Sequence, residues 1–191
     1  MCRIMNNKDE QFSKTEEQFR SVMAECRTLF AKKLHDYGAS WRILRPVSLT
    51  DQLFIKAKRI RSLETTGTSL VGEGIRPEFI ALINYGIIGL IQLEHGYADT
   101  VDMAPDQALA LYDEHARKCL ELMLRKNHDY NEAWRDMRVS SYTDFILTKI
   151  QRVIENLHGS TLVSEGIDAN YMDIINYACF GAIKMLENNE L

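Results

Sequence analysis

The sequence predicts an all-α fold, with two tandem three-helix repeats packed as a pseudo-twofold helical bundle. Apolar residues recur at three- and four-residue steps through most of the 191-residue chain, which is typical of amphipathic helices. The polar segment 33–42 also recurs as 126–135, at an offset of 93 (128 − 35). Such self-similarity indicates a duplicated structural unit. Strand-like patterns are too short to form a sheet.

The first repeat is predicted to span residues 8–96 and the second 105–189, joined by a linker at 97–104. The offset of 93 holds through the second helix of each repeat and becomes 92 (181 − 89) after one deletion in the following loop. Each half is near the size at which a lone core is marginal. We therefore expect the halves to pack together.

The first two helices of the first repeat follow from one apolar stripe each. The first is predicted over about 10–34, with Gly38 as its C-terminal cap. The second is predicted over about 48–63, and Ser48 and Asp51 resemble a capping box at its start.

The third helix is predicted from Pro77, which suits a first helical turn, to about Glu94. Its apolar arc is wide, so it should be the most buried helix, and a second copy of the chain, as in a homodimer, is a candidate partner. The second repeat follows the same plan. Pro105 opens its first helix, Ser141-Tyr-Thr-Asp144 repeats the cap, and 167–186 repeats the third helix.

Composition limits the class of protein. The net charge of −4 makes nucleic acid an unlikely partner, because such binders usually present a basic face. There is no targeting pattern and no long apolar run, so we expect no membrane partner and a cytoplasmic location. The four cysteines lack metal-site spacing and are interpreted as small buried residues.

Both repeats retain polar residues that a helical fold alone rarely requires. In the second repeat, Glu165, Asp173 and Asn176 are separated by eight and three residues, which brings them near one face of a helix. Asp129 ends the preceding first helix. Carboxylate oxygens are the ligands that Mg²⁺ prefers, so Asp129, Glu165 and Asp173 are predicted metal ligands and catalytic residues.

Cations and aromatic residues accompany these acids. Lys149 and Arg152 lie three residues apart on the second helix and could meet phosphate oxygens. Tyr130, Trp134 and Asn176 complete the predicted substrate site. Trp134 could stack on a base, although an anchoring role in the core is the more frequent use of such a residue.

The first repeat carries an incomplete version of the set. The predicted binding residues there are Asp36, Trp41, Lys56, Arg59, Glu73 and Asn84. Ala81 stands at the position of Asp173, and Arg76 at that of Asp168. We therefore predict that the second repeat has the better metal site. His35 and His128 precede an Asp in both repeats, but further His ligands are missing, so capping of the first helix is favoured over a phosphohydrolase dyad.

These motifs resemble the nucleotide-modification-associated domain, type 1, a family long described as a domain of unknown function. The resemblance rests on Lys33-Leu-His-Asp36-Tyr37-Gly38…Trp41, Lys56-Ala-Lys-Arg59-Ile60, Glu73…Asn84-Tyr85 and their second copies. It covers nearly the whole chain, and the tandem arrangement resembles bacterial members. It implies a link to nucleotide or modified-base metabolism.

The layout is also distantly similar to the all-α MazG-type nucleoside-triphosphate pyrophosphohydrolases, which hold Mg²⁺ with several acidic residues. Neither repeat has their ExxE pattern on its second helix. Three hypotheses follow: a Mg²⁺-dependent nucleotide pyrophosphohydrolase, a non-catalytic nucleotide-binding module, and a structural helical module. In each of the first two, the ligand is a nucleotide or nucleoside phosphate.

Overall fold

The predicted all-α bundle is confirmed. The structure is a computed structural model that describes residues 7–68, 72, 74–159 and 166–188, with no strand in those ranges. The six α-helices in this part of the chain are α1 (Asn7–Tyr37), α2 (Pro46–Thr66), α3 (Arg76–His95), α4 (Pro105–Tyr130), α5 (Val139–Leu157) and α6 (Ile167–Glu187).

Equivalent helices of the two repeats contact each other in pairs. α1 packs on α4, α2 on α5 and α3 on α6, and buried residues from both repeats form one hydrophobic core. The repeats therefore pack together, as their size required. This pairing is what a pseudo-twofold arrangement needs, and the rotational relation itself stays a prediction.

The contact between α3 and α6 depends on two glycines. A Cβ atom on Gly89 would lie 2.8 Å from the Tyr171 ring, and one on Gly181 would lie 2.7 Å from the Phe79 ring. Gly89 and Gly181 are repeat equivalents, and so are Phe79 and Tyr171. Each repeat thus places an aromatic ring against the glycine of the other.

The apolar arc of α3 is covered within the chain. Phe79, Leu82, Ile83, Ile87 and Ile91 are completely buried. Packing against α6 and neighbouring helices accounts for the width of this arc. The arc therefore no longer requires a second copy of the chain to cover it. The homodimer stays a prediction.

The capping-box predictions are wrong. α2 begins at Pro46 with Arg45 as its extended N-cap residue, and α5 begins at Val139 with Arg138 in that role; neither helix has a side-chain cap. Proline is favoured at a first helical position, so α2 starts earlier than the Ser48 pattern indicated. Ser48 and Ser141 lie inside the first turns.

Two short 3₁₀ helices were not predicted. They span Ser40–Ile43 and Ala133–Asp136 and carry Trp41 and Trp134 into the core. In each repeat, a side chain of the third helix donates a hydrogen bond to the 3₁₀ turn of that repeat, at equivalent backbone carbonyls. The Gln92 amide donates to the Arg42 carbonyl at 3.1 Å, and Lys184 Nζ donates to the Arg135 carbonyl at 2.7 Å.

A buried carboxylate holds the second of these turns. Glu132 has a left-handed backbone (φ 63°) and is 7% exposed. Its carboxylate accepts hydrogen bonds from Thr15 at 2.6 Å, from Arg135 at 2.8 Å, and from the Asn127 amide. Arg135 Nη2 also donates to Thr15 at 2.6 Å. This network, Thr15–Asn127–Glu132–Arg135, joins α1 to the second repeat.

Cys26, Cys119 and Cys179 are buried and unbridged, as predicted. Burial raises the pKa of Cys119 to about 12, so its thiol is an inert packing group. None of the helices in the described ranges is long and apolar enough to cross a membrane.

Stability should depend on pH near neutrality through His115. This residue is 5% exposed, and burial lowers its pKa below the ordinary value. As pH falls through the unfolded-state pKa of about 6.5, the unfolded chain binds a proton before the native state does, so stability is lost. Urea unfolding at pH about 7.5 and about 5.5 should show this loss. His115→Gln should reduce the difference in the free energy of unfolding between the two pH values; an unchanged difference in this variant would contradict the expectation.

Candidate functional site

Each repeat contains a cavity between the end of its first helix, its 3₁₀ turn and its third helix. The first-repeat cavity has a volume of about 550 Å³ and the second-repeat cavity about 290 Å³. Each is lined by residues of its own repeat alone. Among the equivalent positions that line both cavities, five carry the same residue in both repeats: Lys33 and Lys126, Tyr37 and Tyr130, Trp41 and Trp134, Asn84 and Asn176, Tyr85 and Tyr177.

A buried ion cluster lies at the second-repeat cavity. Asp173 on α6 is 6% exposed, and its two carboxylate oxygens lie 2.6 Å from Lys126 Nζ and 2.6 Å from Lys149 Nζ. Lys149 is largely buried, whereas the Lys126 side chain is 45% exposed. A buried carboxylate needs such partners, because removal from water penalises its charged form. The fold thus brings Asp173 of α6 and Lys149 of α5, two residues of the predicted site, into direct contact.

The first-repeat cavity uses a different carboxylate. Glu78 on α3 is 3% exposed, lies 3.1 Å from Lys56 Nζ, and accepts a hydrogen bond from Arg59. Glu78 precedes Ala81 by three residues, about one helical turn. In the second repeat these two positions are Asn170 and Asp173. The acid has thus moved by one turn between the repeats while still meeting the equivalent lysine.

Glu78 was missed by sequence reasoning, as were Lys33 and Lys126 as cavity residues. A signal was present. At an offset of 92, Glu78 pairs with Asn170 and Ala81 with Asp173, so one carboxylate is lost where another appears on the same helix face. Comparing each residue only with its equivalent in the other repeat shows the lost carboxylate but not the one that replaces it a turn away.

The two tryptophans are core residues rather than open stacking platforms. Trp134 is 5% exposed and stacks on Phe180, with ring centroids 4.5 Å apart, and the Arg135 guanidinium lies 4.3 Å from its ring centroid. Trp41 is 9% exposed. In both, the indole Nε1 is buried and finds no acceptor among the described residues.

The two asparagines differ in hydrogen bonding. Asn84 Oδ1 accepts a hydrogen bond from Tyr112 Oη at 2.8 Å. Asn176 is 5% exposed, yet neither atom of its amide has a partner within the described part of the chain. An unpaired buried amide is costly unless a ligand or water completes it. Asn176 thus has unfilled hydrogen-bonding capacity.

Tyrosines stand at the mouths of the cavities. Tyr37 and Tyr130 are 70% and 71% exposed, so packing does not explain why both repeats keep them. Tyr177 lies deeper in the second-repeat cavity, where burial, and then the Asp173 charge, raise its pKa. Exposed aromatic residues beside a cavity are well placed to contact a flat ring.

The predicted metal ligands do not gather in the described part of the chain. The Asp129 side chain is 78% exposed and lies 3.2 Å from His128, and Asp36 is arranged similarly beside His35. Glu73 and Glu165 lie outside the described residues. Within the described ranges, no group of three His, Cys, Asp or Glu side chains could hold a metal ion.

Arg152 lies away from the second-repeat cavity. It is exposed on α5 and lines a separate surface depression with Arg61 and Asp144. Its equivalent Arg59 does reach the first-repeat site through Glu78. Lys149 and Arg152 were predicted to lie at the same site. Lys149 contacts Asp173 at the second-repeat cavity, whereas Arg152 faces another surface.

Fold and site together define a tandem-repeat helical protein with equivalent cavities in its two repeats. The chain belongs to the family described as nucleotide modification associated domain 1, whose model matches it twice, over residues 33–93 and 126–185. The two matches confirm the duplication and the predicted family. No curated protein and no solved structure matches the chain.

Proposed function

We propose that the protein binds nucleotides in its repeat cavities, as part of nucleotide or modified-base metabolism. The observation that carries the proposal is that both repeats keep the same lysine, exposed tyrosine and asparagine around equivalent cavities. The family description supports the link to nucleotides. A structural role alone would not account for exposed Tyr37 and Tyr130 or for the unpaired amide of Asn176.

Each group in the set suits one part of a nucleotide. Lysine ammonium groups attract phosphate oxygens as point charges. Tyr130 can lie against the face of a base, and the amide of Asn176 can donate to and accept from a base edge. The cavity volumes are of the order found for small-molecule sites, roughly 300–1,000 Å³.

A more specific hypothesis is that the bound nucleotide is hydrolysed with the help of Mg²⁺, which Asp129, Glu165 and Asp173 would hold. The described carboxylates do not fit such a site, because Asp173 is held by two lysines and Asp129 lies at the surface beside His128. Binding is the function that the geometry supports best.

A thermal-shift panel tests both hypotheses. Nucleosides and their mono-, di- and triphosphates are added with Mg²⁺ or with a chelator. A ligand at about 100 times its dissociation constant should add about 2.7 kcal/mol of stability, which is readily measured. A shift with nucleotides in chelator supports binding. A shift that requires Mg²⁺, followed by pyrophosphate release, supports the hydrolase; no shift with any nucleotide would overturn the proposal.

Removal of one exposed tyrosine should affect binding without affecting stability. Tyr130→Ala is expected to weaken nucleoside binding in the second-repeat cavity about tenfold, since stacking of a base on an aromatic ring contributes about 1–3 kcal/mol. The matched control is Tyr97→Ala, an exposed tyrosine (53%) in the linker. Isothermal titration calorimetry measures the affinities. Equal affinities for the two variants would exclude Tyr130 as a contact.

A further inference from the structure

The two cavities differ in the charge that they leave unpaired. In the second-repeat cavity, Asp173 engages both Lys126 and Lys149. In the first-repeat cavity, Ala81 stands at the Asp173 position, and Lys33, the equivalent of Lys126, has no carboxylate partner in the part of the chain that the structure describes. Lys33 is exposed and lines the cavity.

They differ also in the hydrogen-bonding capacity of one amide. In the first-repeat cavity, Tyr112 Oη donates a hydrogen bond to Asn84 Oδ1, so the amide nitrogen of Asn84 is the group left for a ligand. Phe19 stands at the Tyr112 position in the other repeat and has no hydroxyl; its ring packs on Phe180. Asn176 therefore keeps a donor and an acceptor unused.

Both differences favour a negatively charged ligand in the first-repeat cavity. Lys33 Nζ and the amide nitrogen of Asn84 are donors that the first-repeat cavity leaves unused, and its Glu78 carboxylate is held by Lys56 and Arg59. A cavity that offers donors and an unpaired cation favours an anion with several acceptor oxygens. The second-repeat cavity offers a donor and an acceptor on the amide of Asn176, and the two lysines beside it already contact the Asp173 carboxylate, which suits an uncharged edge such as that of a base.

We propose that the repeats have diverged in ligand charge, so that the first-repeat cavity binds the phosphate of a nucleoside monophosphate and the second binds an uncharged base or nucleoside. The inference rests on the proposed function, since it assigns the two parts of that ligand class to different cavities. The larger volume of the first-repeat cavity, about 550 Å³ against about 290 Å³, is consistent with its taking the larger, phosphorylated ligand.

The test compares the four ribonucleosides with their 5′-monophosphates by isothermal titration calorimetry on the full chain. Lys33→Ala should weaken monophosphate binding about ten- to hundredfold, because hydrogen bonds to charged groups are among the strong ones, and should leave nucleoside binding unchanged. Lys32→Ala is the matched control; this neighbouring lysine is exposed but does not line the cavity. Lys126→Ala should leave monophosphate binding intact.

A reciprocal exchange of the carboxylate sharpens the test. Ala81→Asp should give Lys33 a partner and weaken monophosphate binding as Lys33→Ala does. Asp173→Asn should release Lys126 and add a second monophosphate site. Circular dichroism checks that each variant folds, and the exposed Lys33→Ala carries the test if either exchange variant does not.

The outcomes separate the two proposals. If monophosphates bind but their affinity depends on Lys126, or responds equally to Lys33→Ala and Lys32→Ala, the division between cavities is overturned and nucleotide binding stands. If no nucleoside or nucleotide binds the unmodified protein, the proposed function fails and the division falls with it.

Discussion

Replacing Glu132 with alanine is expected to lower the free energy of unfolding by about 3–5 kcal/mol, the range found when one partner of a buried ion pair is removed. The Arg135 side chain is 17% exposed and would lose the nearer of its two carboxylates, Glu132 at 2.8 Å, and keep Glu187 at 3.1 Å. Thr15 and Asn127, which are 0% and 4% exposed, would lose an acceptor each. Urea or guanidinium unfolding monitored by circular dichroism measures the change.

Two further variants separate the lost contacts from backbone strain at this turn. Glu132→Gly removes the same carboxylate but suits the left-handed backbone, so it should be about 1–2 kcal/mol more stable than Glu132→Ala. Asn131→Gly changes the neighbouring left-handed residue (φ 50°), which is exposed, and should be neutral or slightly stabilising. A loss below about 1 kcal/mol in Glu132→Ala would show that the network contributes little.

Replacing Gly181 with valine is expected to destabilise the protein by about 3 kcal/mol, at the upper end of the usual cost of overpacking. The first added carbon would already lie 2.7 Å from the Phe79 ring, at the contact between α3 and α6. The ring is completely buried and cannot turn away into solvent. Thermal and urea unfolding measure the loss, and Ala24→Val, at an exposed position of α1, is the control.

A double variant tests the proposed cause. Phe79→Leu alone should destabilise by leaving a gap, whereas in a Gly181→Val background it should make room for the added methyl groups. The two changes should then cost less together than the sum of the single costs, a coupling of about 0.5–3 kcal/mol. Additive costs would mean that Gly181 is required for a reason other than the aromatic contact.

The sequence was sufficient to predict the helices and the duplication because both leave long, periodic signals. The wide apolar arc of α3 and the equivalence of Gly89 and Gly181 are examples. It did not predict the 3₁₀ turns, since four residues are too short to show a period. The capping boxes failed because a Ser-x-x-Asp pattern also fits within a first turn, and Pro46 had already fixed the start of α2.

The candidate site was predicted in part. Tyr130 and Asn176, which are retained in both repeats, line one cavity, and the retained Lys149 contacts Asp173 at that cavity. Periodicity cannot tell which exposed residues point into a cavity, so Asp129 and Arg152 were placed there although they lie elsewhere on the surface. Contacts made by residues from another helix, such as Tyr112 with Asn84, have no signature in the spacing of either segment.

The reciprocal contact of each aromatic ring with the glycine of the other repeat has an evolutionary consequence. Two identical subunits that meet across a twofold axis make such paired contacts, and in that assembly every substitution appears at both sites at once. When both copies lie on one polypeptide, each can change alone. Ala81 opposite Asp173 and Phe19 opposite Tyr112 are differences that a homodimer of a single repeat could not hold. Two copies on one chain can therefore differ around their cavities, while the shared hydrophobic core holds both halves together.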